Sequence, residues 1–162
     1  MSLAHAIFAA GCFWSVQSAF DSTPGVYSTQ VGYIGGTTSA PSYEQVSSGK
    51  TGHAEAVEVT YDPQLISYKQ LLDVFFKIHN PTTLNRQGPD IGTQYRSAIF
   101  YLNEKQKTAA VDKITELKRH KTFSAPIVTE VVPAKTFYPA EDYHQDYLKK
   151  RGKNRCTRGS PL

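Results

Sequence analysis

A chain of 162 residues with 40% hydrophobic and 20% charged side chains is long enough to bury one core and too short to bury two. No stretch reaches the unbroken apolar length of a membrane helix, which excludes an integral membrane protein. The net charge of +4 gathers at the end of the chain, where Lys149, Lys150, Arg151, Lys153, Arg155 and Arg158 fall together without an acid. No aromatic side chain is interleaved with them for base stacking, so a solvated tail is expected and a nucleic-acid partner is not.

The first apolar run, LAHAIFAA at residues 3–10, predicts a buried strand. It is too short, and lacks the basic flank, for a secretion signal, so a cytoplasmic protein is expected. Residues 12–21 read as a helix with Val16, Ala19 and Phe20 on one face, and GVYSTQVGYIGG reads as a second strand ending in a glycine turn. HAEAVEVTYDP alternates, with Ala54, Ala56 and Val59 set against His53, Glu55 and Glu58, until Asp62 and Pro63 stop it. SYKQLLDVFFKIHNP carries the clearest helical stripe, in Leu71, Leu72, Phe75, Phe76 and Ile78.

TTLNRQGPDIGTQ is rich in turn formers, and residues 88–94 are expected to be a structureless loop of the kind that often carries function. YRSAIFYL is the next strand, Asn103 caps the helix EKQKTAAVDKITELKRHK, IVTEVVPAKTFYPA returns as one strand, and EDYHQDYLKK closes as a short helix. This succession predicts an α+β fold, a two-layer sandwich with a ferredoxin-like mixed sheet and helices packed on it. Residues 1–148 would form the single catalytic domain, and residues 149–162 a mobile basic tail.

Two cysteines, Cys12 and Cys156, are too few for a disulfide scaffold, and no paired Cys or Cys/His spacing offers four zinc ligands. A structural pair, two unrelated thiols or a redox couple remain open. If the first helix starts near Cys12, its thiol sits among the first-turn N–H groups at the positive end of the helix dipole, which favours the nucleophilic thiolate. Phe13 and Trp14 beside it serve either the core or the wall of an apolar pocket. The residue types also permit a thiol hydrolase using Cys12 with His53 or His144 as base. A basic nucleic-acid-binding module is the third reading.

GCFW, GYIGG, YEQVSSGKTGHAEAV, PDIGTQYRS and YHQDYL occur in one order from residue 11 to residue 148. Together they resemble the A-type peptide methionine sulfoxide reductases, which act on the S epimer at sulfur. The resemblance implies that Cys12 attacks the sulfoxide sulfur and becomes a sulfenic acid, and that Glu55, kept protonated by an apolar site, protonates the oxygen. It implies that the hydroxyls of Tyr43 and Tyr95 bind that oxygen and that Asp90 organises the polar side of the pocket. Phe13 and Trp14 would enclose the substrate methyl group, with His144 supporting them from behind.

By the same resemblance Cys156 condenses with the sulfenic acid to a disulfide, which thioredoxin reduces. With one tail cysteine, a second relay disulfide within the chain is impossible. The expected substrate is methionine sulfoxide in proteins, in peptides or as the free amino acid. The chemistry calls for no metal, flavin or nucleotide, and no membrane partner is expected. A monomer suits an enzyme that must admit peptides.

Overall fold

In the computed structural model, which describes residues 2–150, the apolar start of the chain is β1 (Ala4–Ala10). Its last five residues are all buried because strands flank it on both sides. The chain then runs through α1 (Phe13–Asp21), β2 (Val26–Ile34), α2 (Tyr43–Ser47), β3 (Ala54–Tyr61) and α3 (Tyr68–Lys77). β4 (Arg86–Gln87), β5 (Asp90–Ile91), β6 (Ser97–Tyr101), α4 (Glu104–Arg119), β7 (Glu130–Pro133), β8 (Tyr138–Pro139) and α5 (Tyr147–Lys150) follow.

The main sheet has the order β7-β6-β1-β3-β2-β8. Its four inner strands, with α1 and α3 as the helical connections, repeat the βαββαβ arrangement of ferredoxin-like folds, each strand antiparallel to its neighbours. α4 then crosses over so that β7 lies parallel to β6, which makes the sheet mixed.

One face of the sheet meets the helices through Phe8, Val31, Tyr33, Val57, Val59 and Ile99. The other face, with Ile7, Ala9, Ile34, Ala54, Ala56, Ala98 and Phe100, is covered by Val132, Ala134 and Phe137. Covering both faces explains why β3 departs from the expected pattern. Val59 shares its face with Glu55, which is 1% exposed, and not with the alanines, as a period of two requires. That face turns Glu55 toward the helical layer.

Three further expectations are corrected. IVTEVVPAKTFYPA is not one strand: β7 and β8 lie on opposite edges of the sheet, each ending in a proline, which cannot donate to a further ladder. Residues 88–94 are not structureless, because β4 and β5 pair as a hairpin around Gly88 and Pro89, followed by a 3-10 turn at Thr93–Tyr95. EDYHQDYLKK is broken into a 3-10 turn (Asp142–His144) and α5 by Asp146, whose φ is +54°.

α3 keeps the predicted stripe and is closed at its start by a capping box, in which Ser67 Oγ accepts from Gln70 N (3.1 Å) and Gln70 Oε1 accepts from Ser67 N (2.9 Å). Just past its end, His79 ties three elements together. Its Nδ1 lies 2.6 Å from the Phe75 carbonyl, which can only accept, so Nδ1 carries the hydrogen and Nε2 accepts from Ser97 Oγ at 2.7 Å. Ser97 Oγ in turn lies 2.7 Å from Thr129 Oγ1.

Burial pushes His79 down to about 4 from 6.5, outweighing the opposite pull of the Phe75 carbonyl. Between those values the unfolded chain takes up a proton that the folded chain refuses, so stability falls as pH drops through that window. Chemical denaturation at pH 6.5 and pH 4 is expected to show wild type losing on the order of 3 kcal/mol that His79→Gln does not lose. In the core, Phe8 stacks on Phe20 (5.2 Å) and meets Phe75 at a tilt (5.3 Å). Phe8→Ala is expected to cost roughly 3 to 5 kcal/mol in a urea titration.

Candidate active site

At the end of β1 the chain makes a corner at Gly11, with φ +98°, and enters α1 with Cys12 as its N-cap residue. The first-turn N–H groups of a helix have no partners within it, and α1 has no acidic residue of its own in that turn. β3 supplies one: Phe13 N–H donates to Glu55 Oε1 at 3.2 Å. A carboxyl group is thereby fixed one residue away from the cysteine. Cys12 is 7% exposed, covered but still reached by solvent.

Aromatic rings close around this corner. Phe13 lies 5.7 Å from Tyr33 and 5.4 Å from His144, and His144 lies 4.4 Å from Tyr43. Trp14 stacks on Tyr147 at 3.8 Å, while its indole N–H donates to His144 Nδ1 at 3.1 Å. Because Nδ1 accepts, the neutral His144 ring carries its hydrogen on Nε2. Burial lowers the proton affinity of this ring, with Glu141 and Glu44 pulling the other way.

Glu141 braces the same wall from the outside. Its Oε1 accepts from Tyr33 Oη (2.8 Å) and its Oε2 from Tyr43 N (3.0 Å). Burial first, then that carboxylate, hold the Tyr33 hydroxyl in its neutral form well above the usual tyrosine range. Tyr43 opens α2, whose start is fixed by the capping box of Ser42 and Gln45.

The remaining predicted residues arrive on the segment after α3. Tyr95 is 6% exposed and ends the 3-10 turn, which packs on β3, the strand that carries Glu55. Asp90 begins β5 opposite Gln87, and partial burial raises its carboxyl above the usual range. Cys156, with Arg151, Lys153, Arg155 and Arg158, lies outside the described residues.

The structure therefore joins Phe13, the neighbour of Cys12, to Glu55 through a hydrogen bond, and Phe13, Trp14, Tyr43 and His144 through ring contacts. His144 reaches the wall by bonding to Trp14. Tyr33, Glu141 and Tyr147 were missed by the sequence reading. Tyr33 sits inside GYIGG, where the glycines drew the reading to a turn. Its place opposite Glu55 follows only from the register of β2 on β3.

Neither histidine considered as a base for a thiol hydrolase is placed to be one. His144 Nδ1 is engaged by Trp14, and His53 accepts from Gly36 N (3.1 Å) while its Nε2 contacts the Thr38 carbonyl (2.6 Å). Among the described residues no group of three His, Cys, Asp or Glu side chains could hold a metal ion, and no helix is long and apolar enough to cross a membrane.

A buried carboxyl group thus lies against the head of a helix whose N-cap residue is a cysteine, within an aromatic wall. Comparison with known proteins gives the site a family. The sequence profile described as peptide methionine sulfoxide reductase matches residues 4–160. The peptide methionine sulfoxide reductase MsrA of Methanosarcina acetivorans is 59% identical over 93% of this chain and 80% of its own, and that of Pasteurella multocida is 58% identical over 93% and 85%.

Among solved structures, reduced Mxr1 of Saccharomyces cerevisiae superposes with a TM-score of 0.87 at 34% identity, covering 99% of this chain and 92% of that one. Methionine sulfoxide reductase A of Corynebacterium diphtheriae superposes with a TM-score of 0.84 at 35% identity, covering 96% and 78%. Mxr1 has also been solved in complex with Trx2; that chain shares the fold at 24% identity, with a TM-score of 0.62 over 90% of this chain and 84% of its own. The chain belongs to the peptide methionine sulfoxide reductase family.

Trp14 is the one tryptophan of the chain, so its fluorescence reports on His144. Protonating His144 places a hydrogen on Nδ1 and breaks the bond from the indole. Tryptophan emission measured against pH is expected to show a transition with its midpoint below 6.5, absent in His144→Leu.

Proposed function

We propose that this enzyme reduces the S epimer of methionine sulfoxide, protein-bound or free, through a sulfenic acid on Cys12 followed by an intramolecular disulfide with Cys156. The observation that carries the reading is the bond from Phe13 N–H to Glu55 Oε1, which sets a buried carboxyl beside the candidate nucleophile.

Cys12 Sγ, as thiolate at the head of α1, attacks the sulfoxide sulfur. The sulfoxide oxygen takes a proton from Glu55, and its bond to the methionine sulfur breaks as the oxygen passes to Cys12. The methionine leaves as a thioether and Cys12 is left as sulfenic acid, the first rung of cysteine oxidation. The thiolate supplies the electron pair, so no cofactor enters the balance.

In this reading Glu55 starts protonated, since burial disfavours the charged form of a carboxyl group. Oε1 remains the acceptor for Phe13 while Oε2 carries the proton. The hydroxyls of Tyr43 and Tyr95 hold the sulfoxide oxygen, with Asp90 on the same polar side. Phe13 and Trp14 take the methyl group, since aromatic faces contact both methyl and sulfur favourably. Polar donors on one side and rings on the other make the pocket chiral at sulfur, which is the basis for choosing one epimer. His144 acts through Trp14, fixing the angle of the indole.

The Cys156 thiol then displaces water from the sulfenic acid to form the disulfide, and a dithiol protein reduces it. The complex of Mxr1 with Trx2 supports thioredoxin in that role. A cytoplasmic setting, where thiols are kept reduced, and a monomeric enzyme accord with this cycle.

Separated epimers of a methionine sulfoxide peptide, assayed with dithiothreitol, test the scheme. Wild type is expected to convert the S epimer alone, Cys12→Ser to convert neither, and Glu55→Gln to retain between about a hundredth and a ten-thousandth of the wild-type kcat. Full turnover by Cys12→Ser would end the proposal. Cys156→Ser is expected to reduce one equivalent of substrate and then stall with thioredoxin as reductant; turnover at the wild-type rate would remove Cys156 from the mechanism.

A further inference from the structure

Gln87 belongs to no part of the chemistry above, yet it touches three pieces of chain that the site depends on. Its Oε1 accepts from Asn80 N at 2.9 Å and its Nε2 donates to Asn80 O at 2.8 Å, so the side-chain amide is held by both polar groups of one backbone residue. It also pairs through the backbone with Asp90 in the β4–β5 hairpin. Its aliphatic stem lies directly over the residue before Cys12: a Cβ at Gly11 would fall 2.8 Å from Gln87 Cγ and 2.9 Å from its Cβ.

The far end of this clamp is immobile. His79, next to Asn80, is bonded to the Phe75 carbonyl and to Ser97. Ser97 in turn is the register partner of Ala10, two residues before Cys12. Asn80 Oδ1 accepts from Thr82 N at 3.0 Å, and Pro81 O accepts from Val128 N at 2.8 Å. A side-chain amide bonded at both ends to a fixed backbone behaves like one more rung of a ladder. The hairpin it holds has two residues per strand, continued by a backbone bond from Gly92 N–H to Asn85 O at 2.9 Å, and a two-stranded hairpin is marginal on its own.

We infer that Gln87 is a positioning residue for the reductase reaction: its amide clamps the β4–β5 hairpin to Asn80 and against Gly11, and so sets Asp90 relative to Cys12. The inference rests on the reading that Asp90 organises the polar side of the pocket. Chemistry between prearranged groups loses rate steeply with small displacements, as much as about a hundredfold for 1 Å. A hairpin released from Asn80 would let Asp90 move by distances of that order.

A double-mutant cycle on kcat tests this, using the full-length enzyme with methionine sulfoxide peptide and dithiothreitol, and with thermal midpoints recorded for each variant. Gln87→Ala is expected to lower kcat about tenfold. Asp90→Ala is expected to lower it at least as much, and the double variant no further than Asp90→Ala alone, because Gln87 acts through Asp90. A general loosening of the fold would instead multiply the two losses.

Gln87→Met keeps the stem over Gly11 and removes both amide bonds. It is expected to match the alanine variant, and serves in its place if Gln87→Ala does not fold. Multiplicative losses, or wild-type kcat in Gln87→Met, would overturn the clamp while leaving the proposed chemistry intact. Full activity in Asp90→Ala would overturn the role of Asp90 and the clamp together.

Discussion

The site depends on one hydrogen bond, from the backbone of Phe13 to a carboxyl oxygen of Glu55. A helix start must find partners for its first N–H groups, and a buried acid must find donors. Here each need meets the other, across elements far apart in sequence. α1 begins at the lip of the sheet because β1 ends there, and Glu55 stands under it because β3 lies beside β1. Joining them brings the head of α1, with its cysteine, against a buried carboxyl group.

Around that pair the protein spends its aromatic residues on rigidity more than on burial alone. Rings resist rotation when each is held at its polar tip. Trp14 is held by His144, while the hydroxyl of Tyr33 and the backbone of Tyr43 are held by the two oxygens of Glu141. A wall braced in this way is held in shape by the protein's own bonds. Glu141, which braces it, and Glu44 oppose the effect of burial on His144, so its protonation is set by a contest between burial and those charges.

Much of this was legible in the residues, for reasons that differ by element. α3 was readable because its stripe and its capping box agree, and β1 because a strand flanked on both sides becomes continuously apolar. Cys12 and Glu55 stood out as chemistry-bearing types in segments that resemble a known family, but the bond from Phe13, next to Cys12, to Glu55 depends on the packing of α1 on β3 and could not be read from spacing. The β4–β5 hairpin was hidden because two-residue strands carry no periodicity, and the bonds from Gln87 to Asn80 that accompany it join side chain to backbone across a turn. The division of residues 127–140 into strands on opposite edges was hidden as well, since alternation shows that a segment is extended without naming its neighbour.

The prolines that end β7 and β8 bear on life among damaged proteins. An enzyme of peptide methionine sulfoxide encounters polypeptides whose own strands have come loose and will join any open ladder they meet. Both outer margins of this sheet finish in a residue without an N–H to offer. Each edge strand therefore carries one backbone donor fewer than a strand without proline, a feature that disfavours extension of a sheet edge by a loose strand.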